Sequence, residues 1–488
     1  MKFSLLNVLF IVFILYGTGS SSSSSARRLL FRGRPVNRYG MLRPPVPDNY
    51  VNTLAENWYN QRVDHFNTSD TRTFKQLYFV NHEHYKTGGP VFLMLGGEGA
   101  SSDYFIRSGA IATYAKKFNA LTVELEHRYY GRSVPTVDLS VDNLRYLSSE
   151  QALKDAEQFV QFLVADRLAL ANSKWIVFGG SYSGALAAWF REKYPNAVNG
   201  AVASSGPVEA RYDFKEYLGV VSQSLGTDCS NQIREAVHQL EAQLKTPEGW
   251  QSIDKELKLC TPLNGSDTAS VNNLMETLTD PIASAVQYNS SNGNSIGRVC
   301  SVMTNTKDGR TPLERYVKLQ LQVLHGGSKC LDYDYMKMID EIRQSSKTST
   351  SVRTGMRQWT YQTCTEFGYY QTTGLPDSPF GHNIPIDYFS KQCTDIFGKQ
   401  FNADYIQKAV QTTNTYYGGV KPTVTKVVFP NGSTDPWHAL SVLKDLNNST
   451  RAVLIHGTSH CVDMYAPSAN DPHELTDARQ TIEKQLQL

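Results

Sequence analysis

Six short apolar runs bounded by turn residues punctuate the chain: Pro90 to Leu95, Ala120 to Glu126, Lys174 to Phe178, Val198 to Ala203, Thr423 to Phe429 and Arg451 to Ile455. Most are continuous instead of alternating, the pattern of strands covered on both faces of a mainly parallel sheet. Helical spacing fills the gaps, notably Ser149 to Leu170 and Ala185 to Lys193. The alternation predicts an α/β fold. From about Gly206 to Thr415 the strand signal stops, and segments such as Asn231 to Leu244, Leu274 to Ala285 and Pro312 to Leu324 take over with helix-compatible patterns. The expected division is a leader at 1–25, a pro-segment or tail at 26–50, sheet-domain parts at 51–205 and 416–488, and a helical insertion at 206–415 that caps them.

The leader follows from the first residues. Met1 and Lys2 precede a brief apolar run, Phe3 to Tyr16, and small residues with six serines follow, as in a secretory signal peptide. The alternative is a signal anchor. No later stretch approaches a spanning length, so stable membrane insertion is not expected once the leader is gone. Arg27, Arg28, Arg32 and Arg34 come next in a Pro-flanked stretch, read here as a disordered tail with a removable pro-segment as the alternative. With 48 Lys plus Arg against 46 Asp plus Glu the net charge is +2, which excludes a nucleic-acid binder. An aromatic content of 11% excludes a disordered chain.

An oxidising compartment changes the meaning of the seven cysteines. Cys229, Cys260, Cys300, Cys330, Cys364 and Cys393 all fall in the insertion, where three disulfides are expected, and Cys461 stands apart as a buried thiol. No C-x-x-C spacing suggests zinc, and His82-Glu83-His84 lacks a metal-binding helix pattern, so neither a metal nor a cofactor is expected. Glycosylation sequons at Asn67, Asn264, Asn289, Asn431, Asn447 and Asn448 fit the secretory pathway, with an extracellular or a lysosomal or endosomal destination.

The segment carrying most chemistry is Trp175-Ile-Val-Phe-Gly-Gly-Ser-Tyr-Ser-Gly-Ala. An apolar strand runs through Gly179-Gly180-Ser181-Tyr182-Ser183-Gly184 straight into a helix, the context of a nucleophile elbow. Small residues are needed two positions either side of the nucleophile, and Gly179 and Ser183 meet that need around Ser181. A serine hydroxyl requires a histidine to take its proton and a carboxylate to orient that histidine. In α/β-hydrolases these follow the serine in order, each after a strand. Asp435 lies in the turn after Thr423 to Phe429, and His460 in the loop after Arg451 to Ile455; His456 and His438 are the rival bases. The oxyanion donors should be the N–H of Tyr182 and one from Gly97 or Glu98 in Leu95-Gly-Gly-Glu-Gly-Ala100.

These residues make the sequence resemble the prolyl carboxypeptidase family of serine exopeptidases, from Gln61-Arg-Val-Asp-His-Phe66 to His460-Cys-Val-Asp463. Gly96-Gly-Glu-Gly99, Glu126-His-Arg-Tyr-Tyr-Gly131 and Asn431-Gly-Ser-Thr-Asp-Pro-Trp437 contribute. Trp359 to Gly368 looks most like the thymus-specific branch of that family. The resemblance implies an α/β-hydrolase fold with an inserted, disulfide-stapled helical cap, and the triad Ser181, Asp435 and His460. It also implies bridges Cys229 to Cys300, Cys260 to Cys330 and Cys364 to Cys393. Its substrates would be short peptides cut after proline near a chain end, in a pocket lined by Trp437, Tyr369, Met464 and Ala185, with Glu98 available to a free amine. Homodimerisation stays open. A lipase or esterase, or a catalytically silent binding protein on the same scaffold, are the alternatives.

Overall fold

The computed structural model describes residues 30–46, 49–289, 294–325 and 329–487. The leader expected at 1–25 lies outside the described residues. Eight strands form one sheet: β1 Asn57–Arg62, β2 Thr73–Asn81, β3 Val91–Leu95, β4 Leu121–Leu125, β5 Trp175–Gly180, β6 Gly200–Ser204, β7 Val427–Gly432 and β8 Arg451–Ile455. Their spatial order is β1-β2-β4-β3-β5-β6-β7-β8. From β4 to β8 all neighbours are parallel, while β2 pairs antiparallel with both β1 and β4. This is the α/β-hydrolase topology.

The six apolar runs become β3 to β8; β3 to β7 are buried along their length and have no reason to alternate, while β8 closes the edge of the sheet half-buried. The two antiparallel strands, β1 and β2, had no such signal. Asn57–Arg62 reads Asn-Trp-Tyr-Asn-Gln-Arg, half exposed at the end of the sheet, and its mixed polarity resembles a loop in sequence.

Side chains alternate between two apolar layers. Val91, Leu93, Leu95, Val123, Val177, Ala203 and Phe429 share one cluster with helices α2 (Ser149–Asp166) and α3 (Tyr182–Lys193), α1 being the helix Ala110–Phe118 on the other side. Phe92, Met94, Ile176, Phe178, Val202 and Val428 face that other side, with α1 and Ile482 of the final helix, His473–Gln485. Helix α2 starts where the Ser148 side chain accepts from the N–H of Gln151, and stops at Asp166 instead of Leu170, the last three residues forming a separate turn.

The insertion is helical. Helices Thr227–Gln243 and Thr268–Tyr288 carry much of it, and disulfides Cys229–Cys300, Cys260–Cys330 and Cys364–Cys393 tie together segments 71, 70 and 29 residues apart. Closing loops of this size restricts the unfolded chain by about 4 kcal/mol for each long one. A two-stranded parallel ladder, Arg211–Asp213 with Gly368–Tyr370, joins distant parts of the insertion. Helix Ala403–Tyr417 runs past the boundary expected at 415, because Tyr417 stacks on Trp189 of α3 at 4.1 Å. Among the described residues no helix is long and apolar enough to cross a membrane.

Residues 30–46 are not a disordered tail. Leu30, Phe31, Arg32, Arg34, Tyr39 and Met41 are buried, because they lie between the sheet domain and the cap and not beside them.

One buried carboxyl makes stability depend on pH. Glu124 of β4 is fully buried, and desolvation pushes its pKa up to about 8. A carboxyl raised in the folded state contributes stability fully below its unfolded pKa of about 4.3 and loses it as pH rises through the folded value. Glu124→Gln should therefore flatten the decline in melting temperature between about pH 5 and 9. Parallel pH profiles for the two proteins would contradict this.

Candidate active site

Strand β5 enters α3 through Ser181, whose φ of 62° and ψ of −131° lie outside the regions that ordinary side chains favour. The turn can be this sharp because the backbones nearly touch. A Cβ on Gly179 would sit 1.9 Å from the carbonyl oxygen of Ser183, and one on Gly184 would sit 2.5 Å from that of Ser204. Ser183 suits its position through its hydroxyl, which accepts from Gly180 N–H at 3.0 Å and donates to Gly180 carbonyl at 2.9 Å. The N–H of Tyr182, at the first position of α3, is one of the helix's unused donors.

Two later strands bring the partners to the same edge. Asp435 follows β7 and His460 follows β8, and His460 Nδ1 is 2.8 Å from Asp435 Oδ2. The other carboxylate oxygen accepts from Trp437 N–H at 3.0 Å. Both side chains are buried. Burial works against protonation of His460, but the Asp435 charge, with neighbouring Cys461, outweighs it and holds the imidazole pKa well above its usual range. Of the rivals, His438 turns its Nδ1 to the Asp435 carbonyl, and His456 is exposed.

The His460 loop is anchored from the cap: its N–H donates to Gln287 carbonyl at 2.9 Å, and Ser459 Oγ donates to Tyr288 carbonyl. Gln287 had no mark in the sequence. Its side-chain oxygen accepts from Tyr217 Oη at 2.6 Å and Trp437 Nε1 at 3.0 Å, so one cap residue orients both the Trp437 indole and the His460 loop.

The Gly96 to Ala100 loop leaves β3, the neighbour of β5, and Gly97 rests against Ser183, with 3.4 Å from a Cβ there to Ser183 Cβ. Glu126 braces this loop from behind. Its carboxylate accepts from the N–H groups of Ser101, Arg132 and Ser133, and desolvation still pushes its pKa up to about 7. His127, depressed to about 4 by burial, meets Tyr182 Oη at 3.1 Å.

Trp437 and Tyr369 are both buried and meet edge to face at 5.3 Å, with Tyr369 Oη donating to Pro207 carbonyl. Ala185 is buried in the first turn of α3. Met464 does not join them. It packs in the opposite apolar layer with Phe105 and Ile482, because the short helical turn Val462–Met464 directs it beneath the sheet. Asn431 is also misplaced as a glycosylation site: it is buried in β7, with Nδ2 donating to Phe429 and Val442 carbonyls. Asn67, Asn264, Asn447 and Asn448 are exposed or partly so, and Asn289 is half-buried. The Cys461 thiol is buried and unpaired in any disulfide.

A serine on a strand-to-helix elbow, with a histidine–carboxylate pair at the ends of the last two strands, defines a serine hydrolase of the α/β-hydrolase class. The chain belongs to the serine carboxypeptidase S28 family, whose model matches residues 61–482, and it is a serine-type exopeptidase. It is similar to human thymus-specific serine protease, 38% identical over 452 residues, 88% of this chain and 85% of that one. It is also similar to human lysosomal Pro-X carboxypeptidase, 30% identical over 475 residues, 91% of each chain. A Caenorhabditis elegans protein described as a putative serine protease is 39% identical over 487 residues, 95% of this chain and 94% of its own.

The elbow geometry has a direct test. Gly179→Ala forces a methyl onto the Ser183 carbonyl and should destabilise by about 3 kcal/mol or more, as overpacking does at its worst. Gly297→Ala, in a helix where a Cβ meets nothing within 4 Å, should instead stabilise by up to about 1 kcal/mol. Chemical denaturation of both variants reads the difference, and equal midpoints would refute the close-approach account.

Proposed function

We propose that this chain hydrolyses short peptides after proline near a chain end through an acyl-enzyme on Ser181. The observation that carries the reading is the 2.8 Å His460–Asp435 bond at the sheet edge where Ser181 emerges. Ser181 Oγ attacks the scissile carbonyl while His460 Nε2 takes its proton. Asp435 keeps the other proton on Nδ1 and stabilises the imidazolium. The N–H groups of Tyr182 and of Gly97 or Glu98 receive the charge on the tetrahedral oxygen. His460 returns the proton to the leaving amine, and water then releases the acyl group by the same steps.

Aromatic walls beside the elbow, together with similarity to a lysosomal Pro-X carboxypeptidase, support proline as the residue before the cut. Trp437 and Tyr369, with Ala185 at the base, form an apolar surface for a pyrrolidine ring. Burying three ring methylenes at about 0.8 kcal/mol each favours proline over glycine by roughly 50-fold. The carboxylate of Glu98 accepts the backbone N–H of Met41, and a carboxylate so placed suits a free substrate amine, which favours release of dipeptides from the amino end. The disulfides and exposed sequons support a secretory route.

Two measurements test this. Xaa-Pro-Yaa peptides blocked at either end, with products read by mass, should be cut after proline only when the amine is free. Cutting confined to amine-blocked peptides would reverse the direction, and faster turnover of acyl esters would favour an esterase. Because His460 must be neutral to act as base and its pKa is raised, activity should fall as pH drops through a value above the ordinary one of about 6.5. Asp435→Asn removes the charge that raises it, so the residual activity, lower by about 10⁴-fold, should have its acid limb shifted downward. An unshifted limb would mean another group controls it.

A further inference from the structure

The candidate site is covered by the chain's own amino-terminal segment. Leu30–Phe31 pairs antiparallel with Arg34–Pro35, and Arg32 and Gly33, both at positive φ, form the tip of this two-residue hairpin. The tip is driven between the sheet domain and the cap. Arg32 is fully buried: its guanidinium donates to Gln392 Oε1 at 2.8 Å and to Thr363 Oγ1, and lies 5.0 Å from the Tyr370 ring centre. Its carbonyl accepts from Trp359 Nε1, and that of Gly33 accepts from Gln287 Nε2. Gly33 lies so close to Trp437 that a Cβ there would be 2.5 Å from the indole.

The chain then continues across the rest of the site. Arg34 donates twice to Glu98 carbonyl, at 3.0 and 2.7 Å, and the Arg38 carbonyl accepts from Ala100 N–H at 2.7 Å. Met41 ends the crossing. Its N–H goes to the Glu98 carboxylate, its carbonyl accepts from Tyr288 Oη, and its thioether accepts the Ser181 hydroxyl at 3.2 Å. The proton that His460 should take is thus directed to a methionine sulfur, and His460 Nε2 has no hydrogen-bond partner among the described residues.

We infer that residues 30–42 are a built-in occupant of the substrate cleft, which keeps the peptidase latent until the chain is cut beside the exposed Asn49 and Val51. This rests on reading Ser181 as the nucleophile and adds how that site is regulated. The segment takes the groups a peptide would need, namely the Glu98 carboxylate, the Gly96 to Ala100 loop, the Trp437 face and the serine hydroxyl. A buried structural strand has no reason to converge on all four. A hairpin of two residues per strand does not hold its shape alone, so the cleft imposes it. While covalently joined, the segment competes at a high effective concentration; once cut, it competes only at its own dilute concentration and leaves. Arg43, Pro45, Asn49 and Val51 are exposed, and Val51 is 79% accessible. The chain is held again from Thr53, whose N–H donates to Asp103.

The test uses the full chain with a specific protease site inserted between Asn49 and Tyr50. Uncut protein should react slowly with a fluorophosphonate probe at Ser181, and cutting followed by dilution should speed labelling by about 10²-fold or more. A synthetic peptide of residues 30–42 should slow the cut form again, and a scrambled one should not. In the uncut chain, Arg32→Ala combined with Met41→Ala should give intermediate labelling. Uncut protein that labels as fast as the cut form would overturn the inference. A cut form that labels rapidly yet leaves proline peptides intact would sustain it while sinking the proposed substrate class.

Discussion

The catalytic edge depends on the near-contact of two backbones, where β5 passes into α3. With glycine at 179 and 184 the strand and helix approach closely enough that Ser181 has no relaxed conformation open to it. Such strain persists only if its surroundings over-determine it. Here Ser181 N–H is bonded to Ser204 of β6, the Ser183 hydroxyl closes the turn, and Trp189 further along α3 is stacked by Tyr417. The neighbours of β5 complete the arrangement, since β3 delivers the Gly96 to Ala100 loop alongside the elbow and β7 and β8 deliver Asp435 and His460.

Behind this edge lies a layer of buried charge whose work is positional. Arg128 is wholly buried and meets both oxygens of Asp155, at 2.7 and 2.6 Å, and His65 adds a contact to the same carboxylate at 2.7 Å. Arg128 also donates to the carbonyls of Val63 and Tyr146, so loops far apart in sequence share one cation. Replacing such a group with an apolar one is often neutral for stability, whereas removing one partner alone is expensive. Its place next to Glu126 and His127 gives the Gly96 to Ala100 loop and Tyr182 a fixed floor.

Much of this was legible in the sequence where a local pattern had a local cause. Continuous apolar runs marked β3 to β7 because both their faces are covered, and the elbow announced itself because close approach demands small residues at set positions. Asp435 and His460 could be placed because each follows such a run. The remainder depended on distant contacts. The edge strand at 57–62 has the polarity of a loop, Gln287 is one glutamine in a helix until the fold sets it against Trp437, and Met464 stands close in sequence to His460 yet faces the other layer. Arg32 and Arg34 looked like a solvated basic stretch because only a tertiary cleft supplies the carbonyls and aromatic faces that take guanidinium groups out of water.

The attachment of the His460 loop to the end of helix Thr268–Tyr288 ties access to competence. Gln287 and Tyr288 belong to the cap, and their carbonyls hold the backbone of His460 and the hydroxyl of Ser459. Any displacement of that helix end would therefore also draw on the loop that carries His460. The position of His460 is thus set by the insertion as well as by the strand that precedes it, so a guest that pushed this helix end aside would lose the alignment between imidazole and serine.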